Sequence, residues 1–432
     1  MRRTNFKNIG ILLVTVISLL LGTQVWGKEQ LRFWTMWTGP TQLPVQQEWV
    51  NDFNKLHPEI EVVLEPVPWG EYYEKYLAAI AAKNPPDLGV LPPETSVQFG
   101  AAGFLEPVDD VIQELKSNLY PSLVQLHTYK GHTWAAPHVN YCQVLFVRSD
   151  WLKETGIAPP TSSQKAWTWE RLVTVARKMT KSGRWGLTGE ICALSRSHAT
   201  EHAVAMAITR HGTQYRDENG NIIFDNPKTI KAIQELADLL LKYKVIPPAT
   251  PSYVSGEERM LFQTGKVGML GASSGNYNLI QKEAPEVFSK LLLLPYPTGP
   301  AGGANWISPD GIGIFKGSKN VAMAKEFIKF YLKDENIRKW AKATSGLCAT
   351  ISGNKDPFFN APIFTVQENQ IAWGWGCRTN GKSVAPSDGE VIGMYIFQDL
   401  MQDIVVKKVP VEVAVKSTTE KIKNLPSIKQ GL

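Results

Sequence analysis

The spacing of apolar residues predicts strands that alternate with helices in the first part of the chain. A strand over residues 31–34 is followed by a helix over 42–56, where apolar residues recur at helical spacing. The same order repeats with a strand over 60–64, a helix over 69–82 and a strand over 88–91. This alternation requires a parallel sheet covered by helices. In such sheets, ligands collect beyond the carboxyl ends of the strands.

Residues 131–150 contain two apolar runs that are separated by a polar segment. Pro137 donates no ladder hydrogen bond and restricts Ala136, so the chain is expected to change direction here. Two alternatives are open, a crossover between two domains and an ordinary strand with a bulge. In a crossover, Asn140 and Tyr141 would lie where the domains meet, which is a common place for a small-molecule site.

Apolar residues recur at helical or strand spacing through the rest of the chain as well. They predict helices over 169–180, 227–244, 321–332, 390–406 and 411–424, and strands over 267–270, 291–294 and 311–315. The loop 295–303 is rich in proline and glycine and indicates a second passage between domains, with Trp306 on the crossing. Because the pattern after this loop is similar to that of the first domain, we expect a discontinuous first domain and an α/β fold.

The composition indicates an exported globular protein. The chain has 432 residues, 43% hydrophobic and 20% charged, which is enough for two or three domains. Residues 1–27 have a basic start, an apolar run over 9–21 and small residues at the end, which predicts a cleavable signal peptide, with an uncleaved anchor as the alternative. No cysteine lies near residue 27, so a lipid anchor is not expected. We therefore expect a periplasmic or other extracytoplasmic location.

The net charge limits the expected binding partners, and the cysteines limit the expected disulfides and metal sites. Removal of the three basic residues of the signal peptide lowers the formal charge from +6 to +3, so a nucleic-acid partner is not expected. Four cysteines allow three disulfide pairings, and they are Cys142, Cys192, Cys348 and Cys377. Their spacing includes no CxxC motif, so the sequence does not decide between disulfides and buried thiols. Neither a structural metal nor a cofactor is expected.

Several short motifs stand in a specific order between residues 31 and 350. They are LRFW at 31–34, NDF at 51–53, HP at 57–58, AAIAA at 78–82, PPD at 85–87, GFLEP at 103–107, YKGHTW at 129–134, FQTGKVGM at 262–269, GSKN at 317–320 and AKEF at 324–327. Together they resemble the extracellular solute-binding proteins of carbohydrate ABC importers. That group includes the maltodextrin, trehalose and glycerol-3-phosphate binding proteins.

The resemblance implies a type II periplasmic-binding-protein fold, in which two α/β lobes are joined by two or three crossing strands and close on a ligand. Lobe I would comprise residues 28–138 and 308–350, and lobe II residues 142–304 and 351–432. It also implies a monomeric, non-enzymatic receptor that docks on a membrane permease pair powered by a separate ATPase. The expected ligand is a small carbohydrate, such as a disaccharide or a glycosylated polyol.

A carbohydrate needs polar partners for its hydroxyl groups and aromatic planes for its C–H faces. The chain has 14 tryptophans, more than a core of this size needs. Strand ends, the crossings and an aperiodic stretch near residue 375 supply the candidates. The predicted ligand-binding residues are Trp34, Trp37, Glu94, Asn140, Tyr141, Ser273, Ser274, Asn276, Trp306, Trp373, Trp375 and Arg378.

Some of these residues have a second interpretation. Glu94 would accept hydroxyl hydrogen bonds or serve as a carboxylate at a helix start, where the helix dipole stabilises it. In this family, the residue at Trp34 is often buried behind the site. Ser273, Ser274 and Asn276 stand where several sugar-binding proteins place a tryptophan, so the size of the ligand stays open. Arg378 would hold a hydroxyl pair, or the phosphate of a glycerol-3-phosphate or glycerophosphodiester ligand.

Two enzyme classes are rival hypotheses. Residues 198–202 spell HxxEH, which on a helix places two imidazoles on one face and predicts a zinc peptidase. The motif is short, and no third zinc ligand is identifiable. A glycosidase would need two carboxylates at a set separation, which the sequence alone does not show.

Overall fold

The computed structural model describes residues 28–160, 165–195, 199–217, 219–254, 256–371 and 384–431. The strands are β1 (Glu29–Thr35), β2 (Ile60–Pro66), β3 (Leu88–Leu91), β4 (Leu105–Glu106), β5 (Thr128–Tyr129), β6 (His132–Thr133), β7 (Ala136–Pro137), β8 (Val139–Arg148), β9 (Trp185–Gly189), β10 (Val267–Ser273), β11 (Leu291–Leu294), β12 (Ile307–Ser308), β13 (Gly311–Phe315) and β14 (Leu347–Cys348).

Helices cover both sheets that these strands form. They are α1 (Leu43–Leu56), α2 (Tyr72–Ala81), α3 (Pro93–Ala101), α4 (Asp109–Leu115), α5 (Pro121–Leu126), α6 (Ser149–Glu154), α7 (Trp169–Met179), α8 (Ala199–Arg210), α9 (Pro227–Leu241), α10 (Glu257–Gln263), α11 (Asn276–Glu283), α12 (Pro285–Phe288), α13 (Val321–Tyr331), α14 (Asp334–Thr344), α15 (Pro362–Ile371), α16 (Pro386–Gly393), α17 (Ile396–Val405), α18 (Val411–Lys423) and α19 (Pro426–Lys429).

The first lobe is built on a sheet with the strand order β2-β1-β3-β13-β4. Strands β2 and β3 pair with β1 in parallel, as the alternating pattern predicts, and β13 pairs with β3 in the antiparallel direction. The apolar side chains of this sheet, such as Phe33, pack against α1 and α13, where Phe53 and Phe327 are fully buried. Because β13 comes late in the sequence, the first lobe is discontinuous, as predicted.

The second lobe is built on a sheet with the order β11-β8-β10-β9. Strand β8 is the central element, because it also pairs with β12 and β14 along its first half. The helix α7 packs on this sheet, and its start is capped by the Thr168 side chain, which accepts a hydrogen bond from the backbone N–H of Arg171. The two sheets and their helices form the two-lobed α/β architecture that the sequence predicts.

Within the described residues, three segments of chain pass between the lobes. The first passes at His138, since β7 pairs in the first sheet and β8 in the second. This shows the crossover rather than a bulged strand. The second lies between β12, which pairs with β8, and β13. It follows the loop 295–303, which itself bridges to Thr168 in the second lobe, so that loop is not the passage. The third is β14, which pairs with β8 at Asn140.

Three predicted helices differ from the observed ones by three residues or more. The helix predicted over 227–244 ends at Leu241. The helix predicted over 69–82 begins at Tyr72, because Trp69 belongs to the preceding loop. The helix predicted over 390–406 consists of α16 and α17, which are separated at Tyr395 by a left-handed backbone conformation with φ of +54°. Tyr395 carries no sequence signal for a break, since a left-handed conformation is typical of glycine or asparagine.

The helix α16 fixes the position of α3 in the first lobe. A Cβ atom at Gly389 would lie 2.7 Å from the backbone oxygen of Glu94, and one at Gly393 would lie 2.2 Å from the Tyr73 ring. Gly389 therefore allows α16 to pack closely on α3, and Gly393 allows it to pack on Tyr73 of α2, because any side chain at either position would clash. The same contact places Ile392 next to the start of α3, where Glu94 lies.

Cys142, Cys192 and Cys348 are buried and carry free thiols. Burial raises the pKa of all three thiols, that of Cys348 to about 12. Cys377 lies outside the described residues. Within the described part of the chain, no helix combines the length and the apolar character needed to cross a membrane.

Candidate functional site

A cavity of about 620 Å³ is lined by residues from both lobes and from the crossings. The carboxyl ends of several strands contribute to it. Trp37 follows β1, Glu94 follows β3, Glu190 follows β9, and Asn276 follows β10. This placement agrees with the rule that ligands bind beyond strand ends in α/β sheets. It makes the cavity the candidate ligand site.

Trp37 forms the aromatic wall of the first lobe. Its ring lies 4.8 Å from the Tyr141 ring at an interplanar angle of 36°, and it meets Trp69 edge to face at 5.3 Å. Its Nε1 donates a hydrogen bond to Asp310 Oδ2 at 3.1 Å. Because Tyr141 and Asp310 belong to two crossings, Trp37 is held in one orientation by the segments that join the lobes. Its indole remains partly exposed to the cavity.

Trp306 forms a second aromatic surface just before β12. The ring of His202, from α8, stacks on it at a centroid distance of 4.1 Å and an angle of 17°. Both residues line the cavity, and Trp306 is almost fully buried. Trp37 and the His202–Trp306 pair give the cavity two aromatic surfaces, which suit stacking against a ring-shaped ligand.

Carboxyl groups supply most of the charged atoms around the cavity. Glu94 and Asp310 are buried near Trp37, while Glu190 and Glu258 lie on the second-lobe side. Burial raises the pKa of Glu258, and it raises the pKa of Glu190 to about 7. Among the described lining residues, Arg259 is the one lysine or arginine, and Glu283 pairs with it. The cavity is therefore rich in hydrogen-bond acceptors.

A sequence model of the family described as bacterial extracellular solute-binding protein matches residues 48–363 of the chain. The chain belongs to this family. The resemblance that the short motifs carry is thereby confirmed, and so is the two-lobed fold.

Curated relatives of this solute-binding protein are about a quarter identical to it over the aligned residues. A putative binding protein of Brucella abortus is 24% identical over 298 residues, which is 68% of this chain and 69% of the relative. The arabinooligosaccharide-binding protein of Bacillus subtilis is 23% identical over 324 residues, covering 73% and 72%. The periplasmic sn-glycerol-3-phosphate-binding protein of Agrobacterium fabrum is 24% identical over 320 residues, covering 68% and 69%.

Solved structures share the fold over nearly the whole chain. Maltose-bound MalE3 of T. maritima superposes with a TM-score of 0.78 at 23% identity, covering 91% of this chain and 99% of that one. The mannobiose-bound protein CpMnBP1 gives a TM-score of 0.78 at 22% identity, covering 91% and 100%. At these identities, the similarity establishes the architecture of the solute-binding protein.

Six of the twelve predicted ligand-binding residues line the cavity. They are Trp37, Glu94, Tyr141, Ser273, Asn276 and Trp306. Trp373, Trp375 and Arg378 lie outside the described residues. The structure therefore brings together candidates from both lobes and from two crossings.

The other three predicted residues do not line the cavity. Trp34 is still inside β1 and points toward α2, where its Nε1 donates a hydrogen bond to Glu65. Asn140 is buried within β8, opposite Leu347 of β14. Ser274 is buried and donates a hydrogen bond to Gln367 Oε1 at 3.0 Å. The candidate cavity therefore does not include the predicted residues Trp34, Asn140 and Ser274.

Several cavity residues of this solute-binding protein were missed by the sequence analysis. Glu190 directly follows β9, so the strand-end rule would have found it. Gln143 lies inside β8, in the stretch that was already assigned to the crossing. His202 and Glu258 lie on helices, and no local pattern marks them, because only the tertiary fold turns them toward the cavity.

The HxxEH motif serves packing and the cavity wall. The Glu201 carboxylate is buried and accepts hydrogen bonds from the backbone N–H groups of Phe397 and Gln398 at the start of α17. Burial raises the pKa of Glu201 well above its usual value. His202 instead stacks on Trp306, and His198 lies outside the described residues. Within the described ranges, no group of three or more histidine, cysteine or acidic residues is arranged to hold a metal ion.

Glu190 is expected to make stability depend on pH. Its pKa is about 7 in the folded protein, against an ordinary value of 4.5. The folded state therefore keeps a proton that the unfolded chain releases between these pH values. The Glu190 carboxyl group therefore contributes its full stabilisation below pH 4.5, and this contribution is lost as the pH rises through about 7. We expect Glu190→Gln to be more stable than the wild type at about pH 8, by on the order of 2 kcal/mol.

Urea unfolding at about pH 4 and about pH 8 measures this difference. The two proteins are expected to have the same stability at the lower pH. Glu257→Gln is the matched control. Glu257 is exposed and lies next to the buried Glu258 in α10. A difference between the Glu190→Gln variant and the wild type that stays constant with pH would contradict the prediction.

Proposed function

We propose that this solute-binding protein captures a small carbohydrate in the cavity and delivers it to an ABC importer. The observation that carries the proposal is the pairing of aromatic surfaces, at Trp37 and at Trp306, with buried carboxylates in one cavity. A pyranose ring presents C–H faces that stack on aromatic planes, and hydroxyl groups that donate to carboxylate oxygens.

The size of the cavity supports a ligand of one or a few sugar units. Its volume of about 620 Å³ lies within the range of small-molecule sites, roughly 300–1,000 Å³. A disaccharide or a glycosylated polyol fits this range. Relatives named for arabinooligosaccharide binding and solved structures titled with maltose or mannobiose support a carbohydrate as the class of ligand.

The second candidate is a glycerol-3-phosphate or glycerophosphodiester ligand, which the name of the Agrobacterium fabrum relative favours. A phosphate needs basic partners, and Arg259 is already paired with Glu283. Four carboxyl groups line the described part of the cavity, and they would repel a phosphate. Charge therefore favours a carbohydrate over a phosphate ester.

Closure of the lobes would couple binding to delivery. Lobe I, residues 28–138 and 308–350, would rotate against lobe II, residues 142–304 and 351–432, about the three crossings. A ligand that contacts both lobes favours the closed state, because it gains contacts there that the open state lacks. The closed monomer would then dock on the permease subunits. Residues 1–27 support export to the extracytoplasmic side, where this docking takes place.

Fluorescence titration of the intrinsic tryptophans tests the proposal. The panel contains maltose, trehalose, sucrose, glucosylglycerol and glycerol-3-phosphate. We expect saturable quenching with at least one sugar and none with glycerol-3-phosphate, because Trp37 and Trp306 line the cavity. Saturation by glycerol-3-phosphate alone would favour the second candidate, and no response to any member would contradict both.

The proposed receptor binds its ligand without cleaving it. Incubation with chromogenic glycosides tests this, since release of the chromophore would support the glycosidase hypothesis instead. Bound zinc, measured on the purified protein, tests the zinc peptidase hypothesis. A stoichiometric amount of zinc would support the peptidase.

A further inference from the structure

The second-lobe wall of the cavity carries two neighbouring carboxyl groups. Glu190 lies in a short 3₁₀ turn after β9, and Glu258 lies on α10. Both line the cavity, and Glu258 is only 7% exposed. The two groups interact electrostatically, since the charge of Glu258 contributes to the raised pKa of Glu190, although burial is the larger cause. We call these two residues the acidic wall.

Within the protein, the acidic wall accepts hydrogen bonds from neutral donor groups. Glu190 accepts hydrogen bonds from the backbone N–H of Ser273 and from the side chain of Gln143, and Glu258 accepts one from Ser195. Over the described ranges, neither carboxylate forms an ion pair with a basic side chain. The neighbouring Arg259 is bound to Glu283.

A second observation on the same wall points to a ligand with hydrogen-bond donors. Gln143 lines the cavity and is only 4% exposed, yet its Oε1 has no hydrogen-bond partner within the described part of the chain. Buried acceptors are almost always satisfied in folded proteins, so this oxygen indicates a donor that arrives with the ligand. Gln143 Oε1 and the acidic wall are acceptors on one side of the cavity.

We propose that the acidic wall and Gln143 Oε1 bind an ammonium group of the carbohydrate, so that the ligand is an amino sugar or another amine-bearing saccharide. The inference rests on the proposed carbohydrate function and specifies its substrate class. An ammonium group has donors but no acceptor, and its charge offsets two carboxylates that burial would otherwise destabilise. A hydroxyl group donates one hydrogen bond and brings no positive charge to favour the ionised form of the two carboxyl groups, whose pKa burial raises.

Binding calorimetry near neutral pH tests the proposal with the whole protein. The probes are maltose, trehalose and sucrose, together with derivatives of each in which one hydroxyl at a time is replaced by an amine. We expect one derivative to bind about tenfold to a hundredfold more tightly than its parent sugar, because hydrogen bonds between charged partners are stronger than neutral ones. N-acetylation of that amine should abolish the gain, since it removes the charge.

Substitutions locate the effect on the acidic wall. Glu258→Gln and, separately, Glu190→Gln should reduce the preference for the amine over the parent sugar by about tenfold, whatever their effect on the affinity for the parent sugar itself. Glu257→Gln, on the exposed side of α10, is the matched control and should keep the preference. If parent sugars bind and no amine derivative binds more tightly, the ammonium site is overturned while carbohydrate capture stands. If neither parents nor derivatives bind, both proposals fail.

Discussion

Replacement of Trp37 by alanine is expected to weaken carbohydrate binding by roughly 30-fold to 1,000-fold. The substitution removes an aromatic plane that lines the cavity and packs on Tyr141 and Trp69. It also leaves Asp310 Oδ2 without the indole N–H that donates to it. Buried aromatic residues at the centre of a binding site typically contribute about 2–4 kcal/mol, which corresponds to this range of affinity. Calorimetric titration with the sugar that the fluorescence panel identifies gives the change in Kd.

Trp34→Ala is the matched control for this experiment. Trp34 lies in β1, three positions before Trp37, but its Nε1 donates a hydrogen bond to Glu65 and its side chain does not line the cavity. Its removal should therefore leave the affinity within about twofold of the wild type. Trp37→Phe keeps the stacking plane and removes only the hydrogen bond to Asp310, so an intermediate affinity is expected. Loss of binding in Trp34→Ala, with normal binding in Trp37→Ala, would contradict the assigned site.

Short apolar runs with clear boundaries were predicted well. The observed strands β3, β11 and β13 have the predicted bounds, because polar, proline or glycine residues limit each run. Trp49, Trp151, Trp169 and Trp340 stand in helical apolar patterns, and all four are buried. Local patterns predict these features because burial of one face is what selects the apolar residues.

The lining of the cavity was less predictable. Trp37 and Glu94 were found by the strand-end rule, since the carboxyl ends of parallel strands meet at one edge. Trp34 does not line the cavity because β1 extends to Thr35, and strand alternation turns the Trp34 side chain away from it. His202 and Glu258 reach the cavity through the packing of α8 and α10, which no spacing along the chain encodes.

The crossings have a role in both the fold and the site. Tyr141 and Gln143 of β8 line the cavity while β8 also pairs with β12 and β14. A rotation of the lobes would therefore move side chains that line the cavity. Under the proposed function, ligand contacts would favour one lobe orientation without a separate relay, since the joining strand β8 also lines the cavity.

Asn305→Ala is expected to destabilise the protein by about 3 kcal/mol, because it removes three buried hydrogen bonds next to the second crossing. The Asn305 side chain is fully buried and takes the place of a strand partner for β8. Its Oδ1 accepts from the backbone N–H of Gln143 at 2.8 Å, and its Nδ2 donates to the Gln143 carbonyl oxygen at 2.8 Å. Nδ2 also donates to Gln370 Oε1 at 2.7 Å. Alanine leaves these buried groups unpaired.

Urea unfolding of Asn305→Ala and the wild type measures the loss of stability. Asn51→Ala is the matched control, because Asn51 is exposed on α1 and its side chain accepts a hydrogen bond only from Gln47 among the described side chains. That variant should change the stability by less than about 0.5 kcal/mol. Because Asn305 holds the backbone of Gln143, its loss should also lower the affinity for the ligand at the cavity wall. An unchanged urea midpoint in Asn305→Ala would show that the Asn305 amide does not stabilise the segments that join the lobes.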